Sequence, residues 1–436
     1  MEIFLVCSSA HHRLAKYAPL SKSDLYEVQE RYAESVDKLL QKKQVKGKKQ
    51  RIYRIAQIHK LNDVAIRAKS SSLARFEGLL TSAASFTSRE AGRKNELTIL
   101  DRTIHRILLF DTKSRELVQD DIFSQWVSQT NCIRVWKRPQ GYLYISDRKE
   151  SSSGNHYHFG VLSQESAKPK TLALSVANYE SGSTYHSERD MQNIKFTKTH
   201  GLAVFVAQDV SLPPRLYCLD ILSSTYKVLL GDTQRTFQAR SVFTVHQDAV
   251  YVLLEAQSKL MRITGLNNGL LAKLSYSESP SVIGVKEGWV QSLESCDHGL
   301  LIYRLFYGQA YFFLVDPDTM KQVQLIQMKD NTYHQTIFTQ RTLVFKTKLN
   351  LSVVLIMTDT CLLHLLVVRP GALHLVLTGR TFSPVGWNLP YIGFVNLSSV
   401  SRGRPTRASQ KRASVHHILC FDGSPSRNMV IRLRLP

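Results

Sequence analysis

The residues with the clearest potential for chemistry are few. His156-Tyr157-His158 sets two imidazoles two positions apart, which places both on one face of an extended chain, as a metal pair requires. No cysteine or carboxylate stands at ligand spacing beside them, and the third candidate, His186, is tied to them only by sequence. No metal centre is expected. The six cysteines, Cys7, Cys132, Cys218, Cys296, Cys361 and Cys420, form no CxxC or CxxH pair. Most sit in apolar runs and read as small buried hydrophobes of a reducing compartment. GxGxxG, GxxxxGK[ST], HExxH and GxSxG are all absent, so four common enzyme classes lose support. The chain is expected to be non-catalytic and to need no cofactor.

Cations offer a second chemistry. The 436 residues carry a formal net charge of +22. Residues 1–106 hold net +10, 107–398 net +5 and 399–436 net +7, so the excess lies toward the two ends. Such asymmetry points to contact with a polyanion, while a plain role in solubility stands beside it. Nine basic residues and no acid fall between positions 38 and 60, among them Lys42, Lys43, Lys46, Lys48, Lys49, Arg51 and Arg54. Lys48-Lys49-Gln50-Arg51 fits a nuclear-localisation pattern, in which an acidic groove takes each extended cation in turn. Arg402-Gly403-Arg404-Pro405 resembles the core of an AT-hook: a glycine between two arginines lets the backbone lie in the narrow minor groove of AT-rich DNA. The upstream Ser398-Ser-Val-Ser401 departs from that pattern. Downstream, Arg407, Lys411 and Arg412 are placed to hold phosphates. Lys411-Arg412-Ala413-Ser414 looks like a basophilic kinase site, where phosphate on Ser414 would remove nearly two units of positive charge. The plain alternative is a polar loop between two strands.

Elements must position these groups. Residues 21–45 predict an amphipathic helix capped at Ser21 or Ser23, with Leu25, Val28, Tyr32, Val36 and Leu39 in one apolar stripe. The stripe packs on the chain's own body or docks into a partner's groove. A second helix is expected over about 51–69, and residues 70–95 read as a linker. Two apolar stretches, 349–368 and 381–401, are broken by Asp359 and by Pro384 and Pro390, so neither spans a membrane. Met1–Ala10 makes a poor secretory signal.

From about residue 98 a repeat appears. An apolar strand ends in Asp, a short polar turn follows, and a second strand begins: Arg106–Val118, Leu216–Leu229, Tyr311–Val323 and His417–Ser426. Looser copies place turns near 111, 162, 220, 264, 316, 369 and 422, at steps of 51, 58, 44, 52, 53 and 53. The Asp side chain is expected to cap its own turn. Four strands are predicted over 241–275, at 241–246, 249–256, 259–264 and 269–275. Four more are predicted at 342–347, 351–358, 361–368 and 372–378.

A period near 50 with up to four strands per period resembles the β-propeller repeat proteins of divergent WD type, although the Gly-His and Trp-Asp dipeptides are missing. The resemblance implies an all-β propeller over 98–436, of seven blades or six, with a basic loop at 399–415. Residues 1–97 would form a basic, mainly helical extension, and Ile3–Cys7 is a candidate for closing the ring. A pair of β-sandwiches is the rival fold. The implied function is a protein-interaction scaffold, intracellular and nuclear rather than cytoplasmic. The first alternative is a nucleic-acid-associated adaptor using 38–60 and 402–412. The second is a propeller hydrolase or lyase.

Overall fold

The computed structural model describes residues 2–7 and 85–87, most of 96–380 with short breaks, and 393–396, 414–421 and 429–435. The helices expected over 21–45 and 51–69 lie outside the described residues, and so do the basic run 38–60 and the loop 402–412. Within the region read as linker, Ser85–Thr87 is a strand.

The chain divides into two compact units, residues Met1–Lys149 with Tyr391–Pro436, and residues Glu150–Pro390. In the first unit, β1 (Glu2–Cys7) is followed by β2 (Ser85–Thr87), β3 (Glu96–Asp101), β4 (Arg106–Asp111) and β5 (Leu117–Asp120). The last four pair in chain order as an antiparallel sheet. A short helix, α1 (Asp121–Ser124), leads to the hairpin of β6 (Cys132–Arg138) and β7 (Gly141–Lys149). At the other end of the sequence β26 (Gly393–Asn396), β27 (Ser414–Phe421) and β28 (Met429–Leu435) form three strands of a sheet. β1 supplies the fourth, running antiparallel along β28 from Glu2 opposite Arg434 to Cys7 opposite Met429. The apolar run at Ile3–Cys7 thus completes the last sheet of the chain and not the first.

The second unit opens with the hairpin of β8 (Asn155–Ser163) and β9 (Lys170–Ser175). Three four-stranded sheets follow, each in simple chain order. The first is β10 (Lys195–Phe196), β11 (Ala203–Ala207), β12 (Arg215–Asp220) and β13 (Thr225–Leu230). The second is β14 (Val242–His246), β15 (Ala249–Leu254), β16 (Lys259–Thr264) and β17 (Ser275–Glu278). The third is β18 (Trp289–Cys296), β19 (Gly299–Phe306), β20 (Gln309–Val315) and β21 (Gln322–Lys329). A fourth sheet holds β22 (Gln340–Lys346), β23 (Ser352–Thr358), β24 (Leu362–Arg369) and β25 (Ala372–Arg380). The stretch 349–368 is therefore two strands that part at Asp359, and no helix among the described residues is long and apolar enough to cross a membrane. Among the described residues no sheet exceeds four strands.

The alternation of side chains explains why these sheets stack. β15 is buried along its whole length. Val250, Val252 and Leu254 join Leu216, Cys218 and Leu230 in the core on one side, while Ala249, Tyr251 and Leu253 join Leu300, Ile302 and Phe313 on the other. The next sheet repeats the pattern, with Leu301, Tyr303, Phe312 and Leu314 meeting Val354, Ile356 and Leu366. Each middle strand thus feeds two cores, so its apolar run is continuous. Burying one large apolar side chain contributes about 1.5–3 kcal/mol.

One predicted strand moves. The fourth strand of the 241–275 group is at Ser275–Glu278, not 269–275. Leu266 and Leu270 instead drop into the core from a loop that begins with a 3-10 turn at Leu266–Asn268. Gly265 permits this with φ +109; a Cβ there would lie 2.5 Å from the Lys273 carbonyl oxygen, so the loop closes on itself at that point. The strands predicted from 342 to 378 match β22 to β25 within a few residues.

Candidate functional site

The turn carboxylates show how the repeat builds local structure. Asp220 Oδ1 accepts from Leu222 N at 2.9 Å and its Oδ2 accepts from the Ser223 hydroxyl at 3.0 Å. Asp316 Oδ1 accepts from Asp318 N at 3.1 Å and from Thr319 N and Oγ1 at 2.7 and 2.8 Å. The Thr319 amide, then the Thr319 hydroxyl, hold the Asp316 carboxyl below its ordinary pKa. Both residues cap their turns as expected. The side chains of Asp111 and Asp422 lie outside the described residues.

Other polar groups reach one sheet further. Asp248, in the β14–β15 turn, accepts from Thr199 N at 2.7 Å and from the Thr199 hydroxyl at 2.6 Å, and Lys198 N donates to the Gln247 carbonyl at 3.0 Å. His200 Nε2 lies 2.9 Å from the Asn267 carbonyl. His246 Nδ1 lies 2.9 Å from Ser295 Oγ in the following sheet, and Asp297 N donates to Ser352 Oγ at 3.2 Å in the sheet after that. The Thr199–Asp248 and His246–Ser295 links, and that between Gln324 and Leu373, each join residues 49 apart. Arg304 to Ser258, Tyr276 to Leu229 and Lys227 to Ala272 join residues 46, 47 and 45 apart. The sequence period reappears as the span of the ties between neighbouring sheets.

One contact skips a sheet. Lys195 of β10 and Glu294 of β18 form an ion pair at 2.9 Å, although β14 and its sheet stand between them in sequence. β14 lies beside both β10 and β18, and β18 lies beside β22. The first strands of successive sheets therefore stand in a row, close enough for side chains of the first and third to touch. Around this pair gather the turns bearing Lys198, Thr199, His200, Asp248 and Asp297, mostly exposed. Burial is the main influence holding the His246 imidazole below its ordinary pKa; Asp318 and Asp297 oppose it and Arg262 acts with it. His246 is thus kept neutral near pH 7, beside a serine hydroxyl. The surface displays carboxylates, imidazoles and hydroxyls at fixed separations, an arrangement suited to hydrogen-bonded recognition.

The groups singled out from sequence fare differently. His158 is half-buried in β8, whereas the side chain of His156 and all of His186 lie outside the described residues. Among the described residues no three His, Cys, Asp or Glu side chains gather to hold a metal. Cys132, Cys218 and Cys296 are buried thiols outside any disulfide, and burial pushes Cys218 up to about 12 and raises Cys296 as well. Ser414 opens β27 opposite Leu435. Its side chain lies outside the described residues, as do Lys42–Arg54, Arg402–Arg412 and the stripe from Leu25 to Leu39. The Thr199–Asp248 and Lys195–Glu294 contacts were missed. Polar pairs one period apart were the signal for the first, and nothing in the sequence marked the second.

No protein-family model matches the sequence, and no curated protein matches it. Solved structures resemble the chain at low identity. A chain from the S. cerevisiae complex of Dbp5 bound to Nup159 and Gle1, with IP6 and ADP, is 11% identical with a TM-score of 0.41, covering 79% of this chain and 88% of that one. BBS1N in complex with ARL6DN is 11% identical with a TM-score of 0.40, covering 81% and 94%. Streptogramin B lyase is 9% identical with a TM-score of 0.40, covering 80% and 93%. Likeness at this level assigns neither a family nor an activity.

Proposed function

We propose that the chain is a non-catalytic protein-interaction scaffold whose four-stranded sheets are the blades of a β-propeller, seven in number. The Lys195–Glu294 pair carries the reading. Side chains of two strands separated by a whole intervening sheet reach each other if the sheets radiate from an axis near their first strands, as blades do. Radial sheets present their hairpin turns together at one end, where side chains from several repeats make one surface. The turns at 198–200, 247–248 and 297–298 supply such a surface, stiffened by the ties between sheets. Crosslinking with mass spectrometry in the native cell tests the reading. Partner crosslinks concentrated near Lys198, and lost with the Asp248→Lys substitution, are the expected result. A chain that captures no protein reproducibly overturns it.

The His246–Ser295 contact favours a second reading, a hydrolase, because a neutral imidazole within hydrogen-bond reach of a hydroxyl is the arrangement of a base and its nucleophile. Labelling of Ser295 by a fluorophosphonate, abolished in His246→Gln, would establish it. An unlabelled Ser295 removes it.

A further inference from the structure

Among the described residues β21 is an end strand of its sheet and pairs only with β20. It runs for eight residues, Gln-Val-Gln-Leu-Ile-Gln-Met-Lys, without proline or an internal charge. Natural sheets guard such edges, because a row of unpaired backbone N–H and C=O groups is a template for another strand. Two earlier end strands carry guards: β13 has Lys227 in its interior, and β17 is only four residues long and ends in Glu278. β25, beside β21, is long and uncharged in its interior like β21 itself, and the one irregularity of β21 is a register shift against β20 at Val323. One of its faces is committed, since Gln324 bonds Leu373 both ways, at 2.9 and 2.6 Å, and Ile326 packs on the core shared with the next sheet. On the other face Val323 and Leu325 are 46% and 41% exposed.

We infer that β21 is a docking edge for an extended segment of a partner protein, one with alternating apolar residues and a carboxylate at each flank. The unpaired backbone calls for a strand. Val323 and Leu325 call for apolar cross-strand neighbours. The charges at either end, Lys321 and Lys329, call for acidic flanks. A second copy of this chain is a poor occupant, because antiparallel self-pairing centred on Leu325 sets Lys321 opposite Lys329 at both ends, and like charges directly opposed repel. The inference rests on the scaffold reading and names one of its contacts.

Selection of a displayed library of random dodecapeptides on the purified full chain tests it. The expected peptides alternate apolar residues between Asp or Glu flanks. They should bind about tenfold more weakly to Val323→Lys/Leu325→Lys, whose changes are at exposed positions, with an unaltered circular dichroism spectrum. Lys321→Glu/Lys329→Glu should turn the selected flanks from acidic to basic. No enriched peptides, enriched peptides without acidic flanks, or equal binding to the lysine variant would each overturn the inference. The outcome is separable from that of the scaffold reading. Partners that crosslink near Lys198 and survive the β21 substitutions leave the scaffold intact and remove the edge.

Discussion

Asp120 and Asp248 are the same residue type doing the same kind of work in the two units, and their surroundings differ completely. Each ties one sheet to a neighbour. Asp120 is 5% exposed. Its Oδ1 caps α1 through Ile122 N at 3.2 Å, and its Oδ2 receives both the Lys137 ammonium at 2.8 Å and the Tyr142 hydroxyl. Phe123 of the same helix stacks on Tyr142 with ring centroids 5.2 Å apart and sits equally close to Tyr144. Asp248 stands at the surface with Thr199 as its partner. A carboxylate sealed among donors stabilises the fold, because removing it takes the acceptor from a half-buried ammonium and a buried hydroxyl. A carboxylate at a turn surface exchanges readily with water and remains free to meet a partner. The first use belongs to architecture, and the second is the one that the proposed scaffold would turn to recognition.

The sharpest break in this comparison is Asp120→Ala, which should cost about 3 kcal/mol in denaturant unfolding, by loss of the cap together with loss of the acceptor for the buried Tyr142 hydroxyl. Phe313→Ala should cost a similar amount, about 3 kcal/mol, by opening a cavity between the second and third sheets of the second unit. Asp248→Ala should cost about 1 kcal/mol, and a double-mutant cycle with Thr199→Val should recover most of that as coupling. A coupling as large as the whole effect of Asp120→Ala would erase the contrast between the two sites.

Two smaller effects sharpen the comparison. The His246 imidazole has a lowered pKa in the fold, so between that value and the ordinary value near 6.5 the unfolded chain binds the extra proton. Stability is then fully present above about pH 6.5 and falls as pH drops below it. The slope should flatten in His246→Gln relative to the native chain, measured by chemical unfolding between pH 5 and 8. Asp316 has the opposite geometry, a carboxylate favoured by its turn, so its contribution is present above the ordinary carboxylate pKa and is lost as pH falls through its depressed value. Asp316→Asn should weaken this acid dependence by the smallest amount of the set, since the group is exposed.

Much of the second unit was legible beforehand for one reason: its determinants are local. The strands from Gln340 to Arg380 follow from apolar runs separated by polar breaks, and the caps at Asp220 and Asp316 join residues two or three positions apart. The displaced β17 failed because Leu266 and Leu270 look like strand residues in sequence, whereas the core beside them accepts side chains from a loop equally well. The candidate surface was less legible. A pairing at 49 residues is visible only once the period is known, and even then nothing distinguishes Thr199 from its neighbours as the partner of Asp248.

What the sequence determined by itself is the repeat, the strands within it, the turn caps and the concentration of positive charge toward the ends, because each of these depends on nearest neighbours or on composition. Tertiary structure alone decided that β1 completes the sheet of β28, that Lys195 meets Glu294 across an intervening sheet, and that β21 ends its sheet among the described residues. Those outcomes depend on how the sheets stack and curve. That is set by the summed packing of many side chains, and no single stretch of the chain encodes it.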